Sequence, residues 1–117
     1  MISFLRGTLT ETTATWVVLD VAGVGYGMAI SLATYEQLPD IGVEVSLFTH
    51  LHVREDRLDL YAFLTVEERS TFELLISVSG IGPTLALTIL SGTSLKGLQK
   101  AIMHDNVSEL TRIKGVG

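Results

Sequence analysis

The hydrophobic pattern changes period at Thr65, and this change constrains the fold more than any single motif. Before Thr65, apolar residues alternate along short runs rich in β-branched and aromatic side chains; after it, they recur every three to four residues. Strands and helices are therefore segregated along the chain, which excludes a β-α-β alternation and the parallel sheet it builds. The reading is an all-β part over residues 1–64 followed by an all-α part over 65–117. Each is close to the size at which a lone domain buries only a marginal core.

In the β part, runs over 2–9, 13–21, 24–32, 43–53 and 58–63 read as five strands. Ala22-Gly23 links the second and third as a hairpin, and the charged stretch Arg54-Glu55-Asp56-Arg57 joins the last two. Residues 34–38, ahead of Pro39, read as one helical turn with Thr34 as N-cap. Five strands with a short helix in the second half fit a small closed barrel of the OB type, and a β-sandwich fragment gives a similar pattern.

In the α part, Thr65 and Glu68 stand as the two ends of a capping box, and Phe72, Leu75 and Ile76 follow at helical spacing. That helix stops near Gly80, and a second runs from Pro83, a residue favoured at the first helical position, to Gly92. A third is expected after Ser94 through Leu98, Ala101 and Ile102, and a fourth over 107–113.

Two of these inter-helix turns share a form. Val78-Ser79-Gly80-Ile81-Gly82 and Ile113-Lys114-Gly115-Val116-Gly117 both read apolar-x-Gly-apolar-Gly, 35 residues apart. A first glycine permits positive φ, and a second lets another group approach the backbone. Behind the first copy, the new helix offers unpaired N–H groups and a positive dipole end, which together favour an anion such as phosphate. A tight αα-turn with no ligand is described by the same residues. The second copy stops at Gly117 without its following helix, so it reads as a motif cut short. Gly23-Val24-Gly25-Tyr26-Gly27 is followed by strand-type residues rather than a helix, so it reads as hairpin turn and bulge positions, not a nucleotide loop.

Composition limits the remaining classes. With 47% apolar and 18% charged residues the chain is globular, and without cysteine it has neither disulfides nor thiolate metal sites, which suits the cytoplasm. No apolar run is long enough to span a membrane or to form a signal peptide. A net charge of −5 excludes a surface coated in basic residues, so any nucleic-acid contact rests on a few placed groups. His50 and His52 share one strand face but lack an evident third ligand, and His104 stands near a helix end. Asp105 with Asn106 reads as a helix cap rather than a glycosylase-type catalytic aspartate. No nucleophile–base pairing is visible, and neither a cofactor nor a metal is expected. A single-stranded nucleic-acid binder would stack bases on aromatics, but Trp16, Tyr26, Tyr35, Phe48, Tyr61 and Phe63 have few basic neighbours and read mostly as core.

Several segments taken in order carry a resemblance: Met1-Ile2-Ser3-Phe4-Leu5-Arg6-Gly7, Gly23-Val24-Gly25-Tyr26, His52-Val53-Arg54-Glu55-Asp56, Leu60-Tyr61-Ala62-Phe63, Glu67-Glu68-Arg69-Ser70-Thr71-Phe72 and Gly80-Ile81-Gly82-Pro83-Thr84-Leu85-Ala86-Leu87. The chain resembles the RuvA family, the DNA-binding subunits of the bacterial Holliday-junction branch-migration complex. The resemblance implies an OB barrel followed by two helix-hairpin-helix motifs. It also implies a linker and a third domain that docks the hexameric ATPase RuvB, neither of which is read in these residues.

The implied assembly is a fourfold tetramer, in some cases doubled to an octamer, that holds a four-way DNA junction open and square without catalysis of its own. Glu55 and Asp56 would form an acidic pin near the junction centre, bracketed by Arg54 and Arg57; a solvated hairpin tip is the plain alternative. DNA contacts would fall to Arg54, Gly80, Ile81, Gly82 and Thr84, and in part to Lys114, Gly115 and Gly117. Thr84 departs from the family's usual lysine, and each lost phosphate contact lowers affinity and salt sensitivity.

Overall fold

The computed structural model describes residues 1–92. The expected third and fourth helices, with His104, Asp105, Asn106, Lys114, Gly115 and Gly117, lie outside the described residues. Packing groups Met1–Arg69 as one unit, and the described residues from Ser70 onward belong to another.

Alternation over the second strand decides the first unit. In β2 (Trp16–Val21), Val17 and Leu19 point one way and are fully buried, while Trp16 and Asp20 point the other way and are exposed. The adjoining β3 (Val24–Ala29) pairs with it in unbroken register from Trp16↔Ala29 to Val21↔Val24. Ala22 and Gly23 close the hairpin with φ of 52° and 92°, the positive values that a two-residue type I′ turn requires. An Asp20 side-chain oxygen accepts from the Gly23 N–H at 2.8 Å.

The unbroken register corrects one expectation, because Gly25 and Gly27 mark no bulge. Gly27 instead leaves room for Trp16, whose ring stands 2.3 Å from the point a Cβ would occupy. The bulge lies in β1 (Phe4–Thr13), between Leu9 and Glu11. That strand runs past the expected end at residue 9, and the turn falls at Ala14-Thr15.

With β4 (Glu44–Val53) and β5 (Leu58–Phe63) the strands close in the order β1-β2-β3-β5-β4, and β4 returns to β1. All neighbours are antiparallel except β3 and β5. A closed barrel rather than a sandwich fragment is thus formed, and closure leaves no free sheet edge. Its interior is Leu9, Val17, Leu19, Met28, Ile30, Leu47 and Ala62, and each large aliphatic residue there contributes roughly 1.5–3 kcal/mol by leaving water.

The short helix α1 (Leu32–Gln37) starts earlier than expected, because Ser31 rather than Thr34 is its cap. The Ser31 hydroxyl accepts from the Thr34 N–H at 3.1 Å. Thr34 is itself buried, and its hydroxyl donates to the Glu68 carboxylate at the start of α2 (Val66–Ile76). The expected capping box is therefore half made. Thr65 accepts from the Glu68 N–H at 3.1 Å, but the carboxylate is committed to Thr34. Burial pushes the Glu68 carboxyl above its ordinary range, and the Thr34 hydrogen bond offsets part of that rise.

Of the barrel aromatics, Tyr61 and Phe63 are buried and Tyr26 packs against the core. Phe48 lies 5.5 Å beneath the Arg69 guanidinium. Trp16 and Tyr35 depart from the expected core role and are exposed, Trp16 because it alternates with Val17 onto the outer face.

In the second unit, the residues of α2 beyond Arg69 bury Phe72 and Leu75, and α3 (Pro83–Gly92) buries Ala86, Ile89 and Leu90. No helix among the described residues is long and apolar enough to cross a membrane.

Candidate nucleic-acid interface

The turn between α2 and α3 is shaped by its two glycines and the residue between them. After Ile76, the Ser77 and Val78 N–H groups bond back to Leu74 and Leu75 at 3.2 and 3.0 Å, tightening the helix end. Gly80 then takes φ of 90°, which reverses the chain, and Ile81 donates to the Val78 carbonyl at 3.1 Å. Ile81 is buried and plugs the turn into its own unit.

Gly82 presents the opposite environment. A Cβ built there meets nothing within 4 Å, so the backbone is open to an approaching group. Its carbonyl accepts from Ala86 at 2.9 Å and so opens α3, but it has no side chain to cap the helix. Pro83 has no N–H, and helix geometry leaves the Thr84 and Leu85 N–H groups without an intrahelical acceptor. Thr84 is exposed, and its carbonyl accepts from the Thr88 hydroxyl at 3.1 Å. An uncapped, open, positive helix end next to a glycine is suited to an anionic oxygen.

The second candidate lies at the tip joining β4 and β5. The Arg54 N–H bonds to the Arg57 carbonyl at 2.9 Å, so Glu55 and Asp56 occupy the middle of a tight turn, both exposed. Sequence reasoning gave Asp59 no role; it holds Arg57 through two contacts of 2.9 Å, from Nε and from a terminal guanidinium nitrogen. Asp59 accordingly holds the Arg57 guanidinium firmly protonated, above its ordinary range. One of the two arginines expected to bracket the tip, Arg57, is thus already paired with Asp59.

The structure describes Arg54, Glu55, Asp56, Gly80, Ile81, Gly82 and Thr84 as two separate turns, one in each unit. The His50 and His52 rings lie 6.1 Å apart on β4, and among the described residues no group of three His, Cys, Asp or Glu side chains is placed to hold a metal ion.

Residues 1–62 match the family model described as the RuvA N terminal domain. The chain belongs to the RuvA family. Residues 72–117 match a second model, a SAM-like helix-hairpin-helix tandem. RuvA relatives cover this chain almost end to end. Proteins named Holliday junction branch migration complex subunit RuvA are 48% identical over 117 residues in Chlorobium phaeobacteroides and 50% identical over 111 in Chloroherpeton thalassium. One of the same name in Syntrophotalea carbinolica is 50% identical over 117 residues. These alignments take in 100%, 95% and 100% of this chain but only 58%, 56% and 59% of the relatives, so the chain spans less than two thirds of RuvA as those proteins have it. The change of period at Thr65 predicts a β part followed by an α part, and the OB-type barrel followed by helix-hairpin-helix elements that the resemblance implies is the fold of this family chain.

Proposed function

We propose that this RuvA-family chain binds four-way DNA junctions without reading sequence and holds them open and square for branch migration in recombination and repair. The observation that carries the reading is the Gly80–Thr84 turn, an open glycine backbone ahead of an uncapped helix. Such a site grips phosphate and ignores the bases. Gly82 and the Thr84 N–H are its centre; Gly80 and Ile81 set its shape; Arg54 adds a cation at the tip of the barrel hairpin. Lys114, Gly115 and Gly117 repeat the motif and add a second grip. Glu55 and Asp56 act in the opposite sense, repelling phosphates so that strands do not collapse across the junction centre.

The chain contributes binding and shape, not catalysis, and works as a homotetramer, in some assemblies an octamer. The work of migration belongs to a RuvB-type hexameric ATPase in the cytoplasm, docked through a domain that follows the helix-hairpin-helix region. The names of the relatives, subunits of a Holliday junction branch migration complex, support this reading.

The test is a gel-shift titration of the full chain against a synthetic four-way junction, a duplex and a single strand at two salt concentrations. Junction preference with steep salt dependence is expected, because each neutralised phosphate adds about 0.9 to the log–log salt slope on duplex DNA. Tighter binding to the single strand would replace this reading with that of a generic OB-type nucleic-acid binder.

A further inference from the structure

The β4–β5 hairpin carries an apolar stripe that the barrel does not use to its end. Leu47, Thr49, Leu51 and Val53 alternate onto one face of β4, and the cross-strand pairs Thr49↔Ala62, Leu51↔Leu60 and Val53↔Leu58 put Ala62, Leu60 and Leu58 beside them. Exposure climbs along this face. Leu47 and Ala62 are wholly buried and Leu51 and Leu60 are half-buried, whereas Val53 and Leu58 reach 56% and 68%. The core-facing stripe thus runs out of the barrel, and its last pair stands in water immediately below Glu55 and Asp56.

We propose that Val53 and Leu58 form an apolar wedge against which nucleobases unpaired at the junction crossover pack. The inference rests on the junction-binding reading above and assigns the hairpin a second task. Carboxylates at the tip repel the phosphate backbone, so the part of a nucleic acid that fits the surface just below them is its uncharged, flat part, the base. Aliphatic side chains that enter a base step replace stacking with apolar contact. Two side chains make a patch far short of the ~800 Å² per partner that a stable protein interface buries, which disfavours a second protein as occupant. The support beneath the wedge is firm: the Arg54–Arg57 backbone bond closes the turn, and Asp59 anchors Arg57 beside Leu58.

The experiment uses the full chain and a synthetic four-way junction carrying 2-aminopurine at the crossover, read at saturating protein. Wild-type chain is expected to raise the fluorescence at least about twofold as the reporter base unstacks, and Val53→Ser with Leu58→Ser to remove more than about half of that rise. Leu58→Met, which keeps an apolar side chain, retains it. Both positions are exposed, so the fold is expected to be kept, with an unchanged circular dichroism spectrum as the check. An undiminished rise in the double serine variant overturns the wedge. So does a fall in its oligomer size by sedimentation, which would give the pair to a second copy of the chain. Wild-type chain that shows no junction preference over duplex fails the functional reading itself, and the wedge falls with it.

Discussion

The two turns proposed to meet DNA are built in opposite ways. At the β4–β5 tip, the ladder and one backbone bond from Arg54 to Arg57 fix the geometry, and the side chains of Glu55 and Asp56 carry the chemistry. At the α2–α3 turn the proposed chemistry belongs instead to backbone N–H groups at the start of α3, left open by Gly82. A site made of side chains can be rewritten without touching the fold. A site made of backbone is bound to the conformation that presents it, and only residues small enough to leave it open are compatible with function.

The strongest way to break this comparison is to separate access from conformation within one turn. Gly82→Val adds a side chain into open space, so the fold is expected to hold while junction and duplex affinity fall together by about tenfold or more, the loss of roughly one charge-assisted contact. A fall in thermal stability of matching size would show that Gly82 serves the turn rather than the ligand. Gly80 is the reverse case. It sits at φ of 90°, so Gly80→Ala is expected to cost about 1–2 kcal/mol of stability in denaturant unfolding. The second unit binds DNA, on this reading, through one glycine and folds through the other.

The acidic turn should answer differently. Glu55→Gln with Asp56→Asn removes both charges from an exposed tip, and thermal unfolding is expected to stay within about 0.5 kcal/mol of the parent. Junction affinity should change by less than about threefold, while the geometry of the bound junction, followed by energy transfer between labelled arms, should change clearly. An unaltered arm geometry would remove the pin assignment.

Glu68 sharpens the contrast from inside the barrel unit. Its carboxyl is pushed up by burial, so the folded chain holds that proton more tightly than the unfolded one. The contribution of Glu68 to stability should therefore rise as pH falls through the folded-state value toward the ordinary carboxylate range, and Glu68→Gln should flatten that trend. A variant with the parent's full pH slope would place its origin elsewhere.

How much of this could be read from the sequence follows the same division. The β5 bounds, Pro83 as the start of α3, the hairpin at Ala22-Gly23 and the positive φ of Gly80 were legible, because alternation, proline and glycine act through local sterics. What was not legible depended on partners distant in sequence. Thr34 looked like a cap because nothing local reveals Glu68, 34 residues on, and Glu68 looked like a capping-box residue for the same reason. Gly27 read as a bulge because the Trp16 ring above it is visible only once the two strands pair. The charged tip was plain in the sequence, but the Arg57–Asp59 pair was not, since Arg57 lies just ahead of β5 and no local pattern fixes where its side chain reaches. The roles of Glu55, Asp56 and Arg54 came from resemblance alone.

The smallest expected effect tests that overlooked pair. Asp59 neutralises Arg57, so of the tip's charged groups only Arg54, Glu55 and Asp56 remain uncompensated by a direct ion pair among these residues. Asp59→Asn releases the Arg57 guanidinium and lowers the negative charge at the hairpin. The Arg57 side chain is 60% exposed and that of Asp59 22%, so loss of this half-solvated pair should lower thermal stability only slightly. The larger consequence should appear in binding. A freed cation beside the pin should raise junction affinity by about two- to threefold at low salt, and the gain should vanish near physiological ionic strength, where the screening length is about 8 Å. A gain that persists at high salt would mean that Arg57 makes a direct, desolvated contact rather than acting through the field. The hairpin would then grip DNA as well as repel it, and the division of labour between the two turns would no longer hold.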